Sequence, residues 1–294
     1  MTPLTSTKLK LDSYDQAFAL LRKIAVEPPY FALGNIQLEG DFVIKASFQT
    51  ELHHPDEISP ICTSEVGRHI AILGSLALAK INPVNEKHYY LAKHAIVERT
   101  NVLPHPDDIF TGIVTSAELS KKSGDISAEL LNSKDEVIYR ITVNYSVIHH
   151  KLFARLFNNN KQLGINSSSQ NPYVENTPFN FLQIGKEICT ASLGMVEPYH
   201  CQGHFNEYPA MPVARLGNAL INLAGKHYRE ITGSTEKYCI VKAEIKAHSL
   251  IFAGDEVELK SEIDSQKYDK GLIINTFAYN KACCLAAELQ CYIA

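Results

Sequence analysis

Apolar residues along this chain recur at two spacings, and the two spacings sort it into helices and strands. Val213, Leu216, Leu220, Leu223 and Ala224 repeat every three or four positions, which predicts a buried helix over residues 213–226. Two prolines, Pro209 and Pro212, feed it, and Pro212 stands where a first helical turn tolerates a missing amide hydrogen. A second helix is predicted from about Ser64 to Lys80, capped at Thr63-Ser64; its Gly67 and Gly74 lie seven apart on one face and imply close packing against a sheet. Near the N terminus, Ala17, Leu20, Leu21 and Ile24 give a short amphipathic helix over residues 12–26, capped by Asp12 or Ser13 and ended by Pro28-Pro29. KLFARLF, residues 151–157, reads as a short helix or turn.

Alternation with period two, rich in strand formers, marks Asp41–Thr50, residues 88–103, 108–119, 125–131 and 136–148, Glu187–Val196 and the final CCLAAELQCYIA. Turns are expected at Gly124-Asp125 and at Asn132-Ser133-Lys134-Asp135. The order of elements then repeats. At an offset of 149, Pro60 falls on Pro209, Ser64–Lys80 on Val213–Arg229, and residues 89–93 on 238–242. Two similar units are therefore predicted: residues 1–150 with the leading helix, and residues 173–294. Between them residues 151–172 form the linker, and the polar run NNNKQLGINSSSQNPYVEN reads as exposed chain.

Composition narrows the function classes. With 294 residues and 45% apolar content the chain can bury two ordinary cores. Its net charge of -4, and no Lys/Arg run longer than Lys121-Lys122, exclude a nucleic-acid partner. No apolar stretch is long enough to span a bilayer and MTPLTSTKLKLD lacks a signal peptide's apolar region, so a cytoplasmic protein without a membrane partner is expected. The seven cysteines are scattered with no CxxC pair, which predicts buried thiols rather than disulfides or zinc. His200 and His204 have metal-pair spacing, but their loop offers no third ligand, so no metal is expected.

The stretch GHFNEYPAMPVARLGNALINLAGK, residues 203–226, resembles the loop and central helix of hot-dog-fold 3-hydroxyacyl thioester dehydratases, where His-Phe-Pro-Gly-x-Pro-x-x-Pro-Gly precedes the helix. His204, Phe205, Pro209 and Pro212 match; Asn206, Glu207 and Val213 depart from it. Gly254-Asp255 resembles the turn before the third strand of such domains, with Asp107 and Asp108 as the first-half counterpart. The resemblance implies an α+β tandem (double) hot dog, each half an antiparallel sheet wrapped around a central helix, packed as an internal pseudo-dimer that could pair again into a homodimer. It also implies a 3-hydroxyacyl thioester substrate on acyl carrier protein or coenzyme A, with no cofactor beyond the substrate's own pantetheine arm.

In that family the loop histidine is the base, the partner domain's helix supplies a carboxylate fourteen residues further on, and amides at the helix start, here Val213 and Ala214, hold the thioester oxygen. Mapped here, that carboxylate position is Asn218 in the second half and His69 in the first, while the first-half counterpart of His204 is Pro55. The pairings are then His204 with His69, and Pro55 with Asn218, so one competent site and one vestigial site are expected per chain.

Glu65, one turn before His69, could orient it, and Arg68 could meet a carrier phosphate or pair with Glu65. Plainer roles stay open: a loop histidine at 204, a polar-pocket histidine at 69, a Glu65–Arg68 salt bridge, a backbone-bonding Asn218, and a slipped first loop offering His53 or His54. Cys62 and Cys201 lie near the two loops as remote nucleophile candidates. Besides a hydro-lyase, the residues allow a thioesterase working through Glu65, or an acyl-thioester-binding protein without catalysis.

Overall fold

The computed structural model describes residues 19–40, 43–52, 54, 56–59, 61–102, 109–162, 170–264, 268, 271–280 and 284–294. Strands β1 (Gly34–Glu39) and β2 (Val43–Phe48) lead into helix α1 (Thr63–Ile81), followed by β3 (His88–Arg99), β4 (Phe110–Leu119), β5 (Ser123–Leu131) and β6 (Val137–His149). After α2 (His150–Leu156) the plan is repeated as β7 (Phe181–Gln183), β8 (Ile188–Met195), α3 (Val213–Thr232), β9 (Ile240–Ala247), β10 (Glu256–Ile263), β11 (Leu272–Asn280) and β12 (Leu285–Ile293).

These strands form one sheet in the order β1-β2-β4-β5-β6-β3-β9-β12-β11-β10-β8-β7, which runs through the same arrangement from either end. At its centre β3 and β9 pair antiparallel, His94 opposite Lys246 and Glu98 opposite Lys242, so a pseudo-twofold axis passes through that seam.

Alternation decides which side chains face the helices. In the first half Ile44, Phe48, Ile126 and Leu130 close on Ile70, Leu73 and Leu76 of α1. In the second half Leu259, Ile274 and Leu289 close on Leu216, Leu220 and Leu223 of α3. The two helices also pack against each other. Between the sheet, the chain leaving β2 and that second helix, α1 buries nearly its whole circumference, Glu65, Arg68 and His69 included.

The structure departs from the sequence pattern at several points. The β4–β5 hairpin turns at Ser120–Ser123, where the Ser120 amide donates to the Ser123 carbonyl at 2.8 Å, rather than at Gly124-Asp125. Gly124 lies inside β5 because a side chain there would strike Leu78 of α1. Of the two α1 glycines, Gly74 lies against Tyr145 and Ile126, whereas a side chain at Gly67 would meet open space. The polar run after α2 is exposed at Asn158, Asn159, Lys161, Gln170, Val174 and Glu175, but Pro172 and Tyr173 within it are buried, and the Tyr173 hydroxyl donates to the Gln202 carbonyl at 2.7 Å. One tyrosine anchors a segment whose average composition looks solvated. Of the leading helix, residues 12–18 lie outside the described residues, and Ala19–Leu21 form its last turn with Leu20 buried. His53, Pro55, Pro60, Asp107, Asp108 and Cys283 also lie outside them.

Candidate active site

The loop before α3 is held by the other half of the molecule. The Glu27 amide donates to the Gly203 carbonyl at 2.8 Å and the Phe205 amide donates to the Ala25 carbonyl at 3.2 Å. Gly203 (φ 78°) runs so close to the backbone of residues 27–30 that any side chain would collide with it. The loop therefore presents His204 at the junction of the two halves.

Nδ1 of His204 lies 2.7 Å from the Ala210 carbonyl. A carbonyl only accepts, so Nδ1 carries the proton and Nε2 is left with its lone pair. Burial pushes this imidazole down to about 4, and the Ala210 bond offsets only part of the fall. The ring is neutral and basic at Nε2 under neutral conditions.

His204 lines an apolar cavity of about 70 Å³ between the halves, with Tyr30, Ala71, Ser75 and Tyr145 on one side and Val213 on the other. The Tyr30 ring meets the imidazole edge-on at 4.9 Å between centroids. The Tyr145 hydroxyl is committed to the Ala71 carbonyl at 2.9 Å, and that of Ser75 to the same carbonyl, also at 2.9 Å. The Tyr30 hydroxyl has no hydrogen-bond partner among the described residues, and burial raises its pKa far enough to keep its proton in place. The cavity thus offers one base, the uncommitted Tyr30 hydroxyl, the Ser249 side chain and apolar walls.

The two helix starts differ in a way that bears on which half is competent. Helix α3 begins after Pro212, which has no side chain able to cap it, so the first-turn amides at Val213 and Ala214 have no side-chain acceptor. At the start of α1 the Glu57 carboxylate accepts from the Thr63 amide (3.1 Å) and the Thr63 hydroxyl (2.7 Å). One helix start is open toward the cavity that holds His204; the other is closed by the chain itself.

The remaining predicted residues cluster elsewhere. His69 is fully enclosed in the first half, stacked on Phe48 at 4.1 Å, with Nε2 3.5 Å from Glu65 Oε1 and 3.2 Å from an Arg68 nitrogen. Burial lowers its pKa to about 4. It does not line the His204 cavity; α1 reaches that cavity with Ala71, Ile72 and Ser75 instead. The two imidazoles expected to face each other therefore belong to separate surroundings, because position 69 turns toward the sheet.

Glu65 accepts from the Thr50 hydroxyl (2.8 Å), the Glu51 amide (2.6 Å) and the Leu52 amide (3.4 Å), which fastens the chain leaving β2 to α1. Arg68 pairs with Glu51 rather than with Glu65 and lies over the Tyr173 ring. Glu65, Arg68, Ala214 and Asn218 line a second, smaller hollow of about 20 Å³ between the helices. There Asn218 accepts from the Thr177 amide at 3.0 Å and donates to Asn176 at 3.0 Å.

The Cys62 and Cys201 thiols are buried and their pKa values raised, Cys201 to about 12, which leaves neither as a thiolate. The His200 ring nitrogen accepts the Glu197 amide at 3.1 Å, in a capping turn apart from the His204 cavity. Tyr30 and Glu57 carry no periodic signal; Tyr30 is marked only by following Pro28-Pro29, and Glu57 only by preceding a helix start.

No family model and no curated sequence matches the chain. Solved structures do. An acyl-ACP thioesterase from Bacteroides thetaiotaomicron aligns with a TM-score of 0.57 and 12% identity, over 88% of this chain and 100% of that one. A putative oleoyl thioesterase from Lactobacillus plantarum gives 0.58 and 10%, over 85% and 95%. A protein of unknown function with a hot dog fold from Alicyclobacillus acidocaldarius gives 0.54 and 7%, over 91% and 98%. At these identities the likeness is one of fold.

Proposed function

From a chain that has the double hot-dog fold, two helix-in-sheet halves sharing one sheet, we propose an enzyme acting on acyl thioesters, specifically a hydro-lyase on 3-hydroxyacyl thioesters with one site per chain. The observation that carries this reading is His204: Nδ1–H is tied to Ala210, Nε2 is left as an acceptor on an apolar cavity, and the uncapped start of α3 lies beside it.

Each group has one task. The acyl chain occupies the cavity, and its thioester oxygen sits at the start of α3 beside Val213, where the helix dipole stabilises the charge of an enolate. Nε2 of His204 takes the C2 proton. The electron pair of that C–H bond forms the C2–C3 double bond as the C3 hydroxyl departs, taking the Tyr30 proton to leave as water. The imidazolium then returns a proton to the Tyr30 oxygen, and both groups are restored. Tyr30 replaces the carboxylate that neither Asn218 nor His69 supplies. The carrier is acyl carrier protein or coenzyme A, whose shared pantetheine thioester is the reacting group.

A second reading, an acyl thioesterase, has the names of structural neighbours in its favour. It would need His204 to activate water, since no carboxylate lines the cavity among the described residues and Glu65 is saturated by the chain after β2. Incubation with 3-hydroxybutyryl and longer 3-hydroxyacyl thioesters, following enoyl absorbance and free thiol together, separates the readings. Enoyl product lost in His204→Ala and strongly reduced in Tyr30→Phe supports the hydro-lyase. Free thiol without enoyl product supports the thioesterase, and silence in both channels overturns both.

A further inference from the structure

At the corner where β6 runs into α2, three histidines and one carboxylate meet, and the reaction proposed above uses none of them. His88 and His149 sit opposite each other in the β3–β6 ladder, their rings 5.1 Å apart and nearly perpendicular. The ring of His150 lies 4.4 Å from that of His149. Glu86, just before β3, places Oε2 3.1 Å from His149 Nε2 and 3.8 Å from His150 Nδ1. One donor atom from each of Glu86, His149 and His150 lies within 4.8 Å of the other two.

Two imidazole nitrogens and one carboxylate oxygen form the mixed donor set that suits zinc-class ions, and that magnesium or calcium, which prefer all-oxygen shells, would not select. Bonds of roughly 2.0–2.2 Å around a tetrahedral centre put donors about 3.4 Å apart, so the present spacing needs only small side-chain movements. These side chains can make them, because Glu86 is 47% exposed and the two rings 29% and 37%. Exposure also leaves the fourth position to water.

Lys151, whose Nζ is 3.4 Å from Glu86, is 72% exposed and free to swing away. At present His149 Nδ1 accepts from the Lys151 amide and His150 Nδ1 faces the Lys87 carbonyl, so each ring carries its proton on the nitrogen that an ion would use. Binding moves each proton to the ring's other nitrogen, and those two bonds are exchanged for the ion.

We propose that Glu86, His149 and His150 bind one divalent ion of the zinc class, which clamps the start of α2 to the start of β3. The clamp has a target. Phe153 of α2 is fully buried, stacked on Tyr89 at 3.6 Å and edge-on to Phe205 at 5.6 Å, and Phe205 stacks on His204 at 3.8 Å. An ion at the corner thus fixes the helix whose phenylalanine supports the histidine loop, whatever that loop catalyses.

The test uses the tag-free full chain, stripped with EDTA and titrated with ZnCl2 by calorimetry and with CoCl2 by visible absorption. One ion per chain, the absorption bands of four-coordinate cobalt and a raised Tm are expected. Glu86→Gln and His150→Ala should each weaken zinc by more than about tenfold while leaving the metal-free Tm within about 2 °C of the parent. His94→Ala, which removes a histidine paired with Glu244 at the central seam, should leave the affinity unchanged. No uptake by the parent chain, or unchanged stoichiometry and affinity in both corner variants, overturns the proposal. Should His150→Ala fail to fold, the nearly isosteric Glu86→Gln decides alone.

Discussion

Replacing Glu57 by glutamine tests the difference between the two helix starts through stability alone. Glu57 is 4% exposed, and burial pushes its carboxyl up to about 7, against the Thr63 bonds and the Arg99 charge that pull it down. Its folded-state value thus lies above the ordinary 4.5. Between those two values the folded chain holds a proton that the unfolded chain has released. The stabilisation from the neutral group is complete below pH 4.5 and is lost as pH rises through 7.

At about 1.36 kcal/mol per unit, the full loss amounts to about 3 kcal/mol by pH 8. Glutamine still accepts from the Thr63 amide and hydroxyl but never ionises. Denaturant unfolding of parent and Glu57→Gln chains between pH 5 and 8.5 should therefore show a difference of under about 1 kcal/mol at pH 5 that widens to a gain for the variant of up to about 3 kcal/mol at pH 8. A variant less stable than the parent at pH 8 would refute the reasoning, because the α1 dipole and Arg99 would then outweigh burial.

Three further outcomes follow from the same contacts. Because burial holds His204 near 4, enzymatic turnover should be flat in its imidazole protonation from pH 8 to pH 6 and fall only as pH drops through about 4; a fall centred near 6.5 would place the ring in water. Glu65→Ala removes acceptors from Thr50, Glu51 and Leu52 and should cost about 2–4 kcal/mol in urea unfolding, with kcat unchanged where the chain is folded; lost turnover in folded protein would return Glu65 to the site. Gly225→Ala drives a methyl into the Tyr238 ring and should destabilise by about 1–3 kcal/mol, read as a lower Tm.

Much of the fold was legible because its signals are local and repeated. The period-3.6 runs gave both central helices to within a residue or two at their starts, and the 149-residue offset anticipated the mirrored strand order. Positions set by contact between the halves were not legible. Gly124 looks like a turn residue until Leu78 is seen above it, and Tyr173 looks solvated until Gln202 and Arg68 are placed around it. At the site, the proline spacing pointed to His204 and the open start of α3. Mapping by sequence offset then paired His204 with His69, but an offset states which residues correspond, not which way a helix is rotated. Ala71, Ile72 and Ser75 occupy the facing surface, and Tyr30 enters from a segment with no counterpart in the repeat.

The seam between β3 and β9 has a consequence for how such a molecule behaves on dilution. Two separate subunits meeting along such an edge would come apart at low concentration, and symmetry would oblige them to carry two equivalent catalytic centres. Here both edges belong to one polypeptide, so their effective concentration is fixed by the connection and not by the cell. Mutations can then alter one centre without altering its twin, and activity per chain should be the same at nanomolar as at micromolar protein.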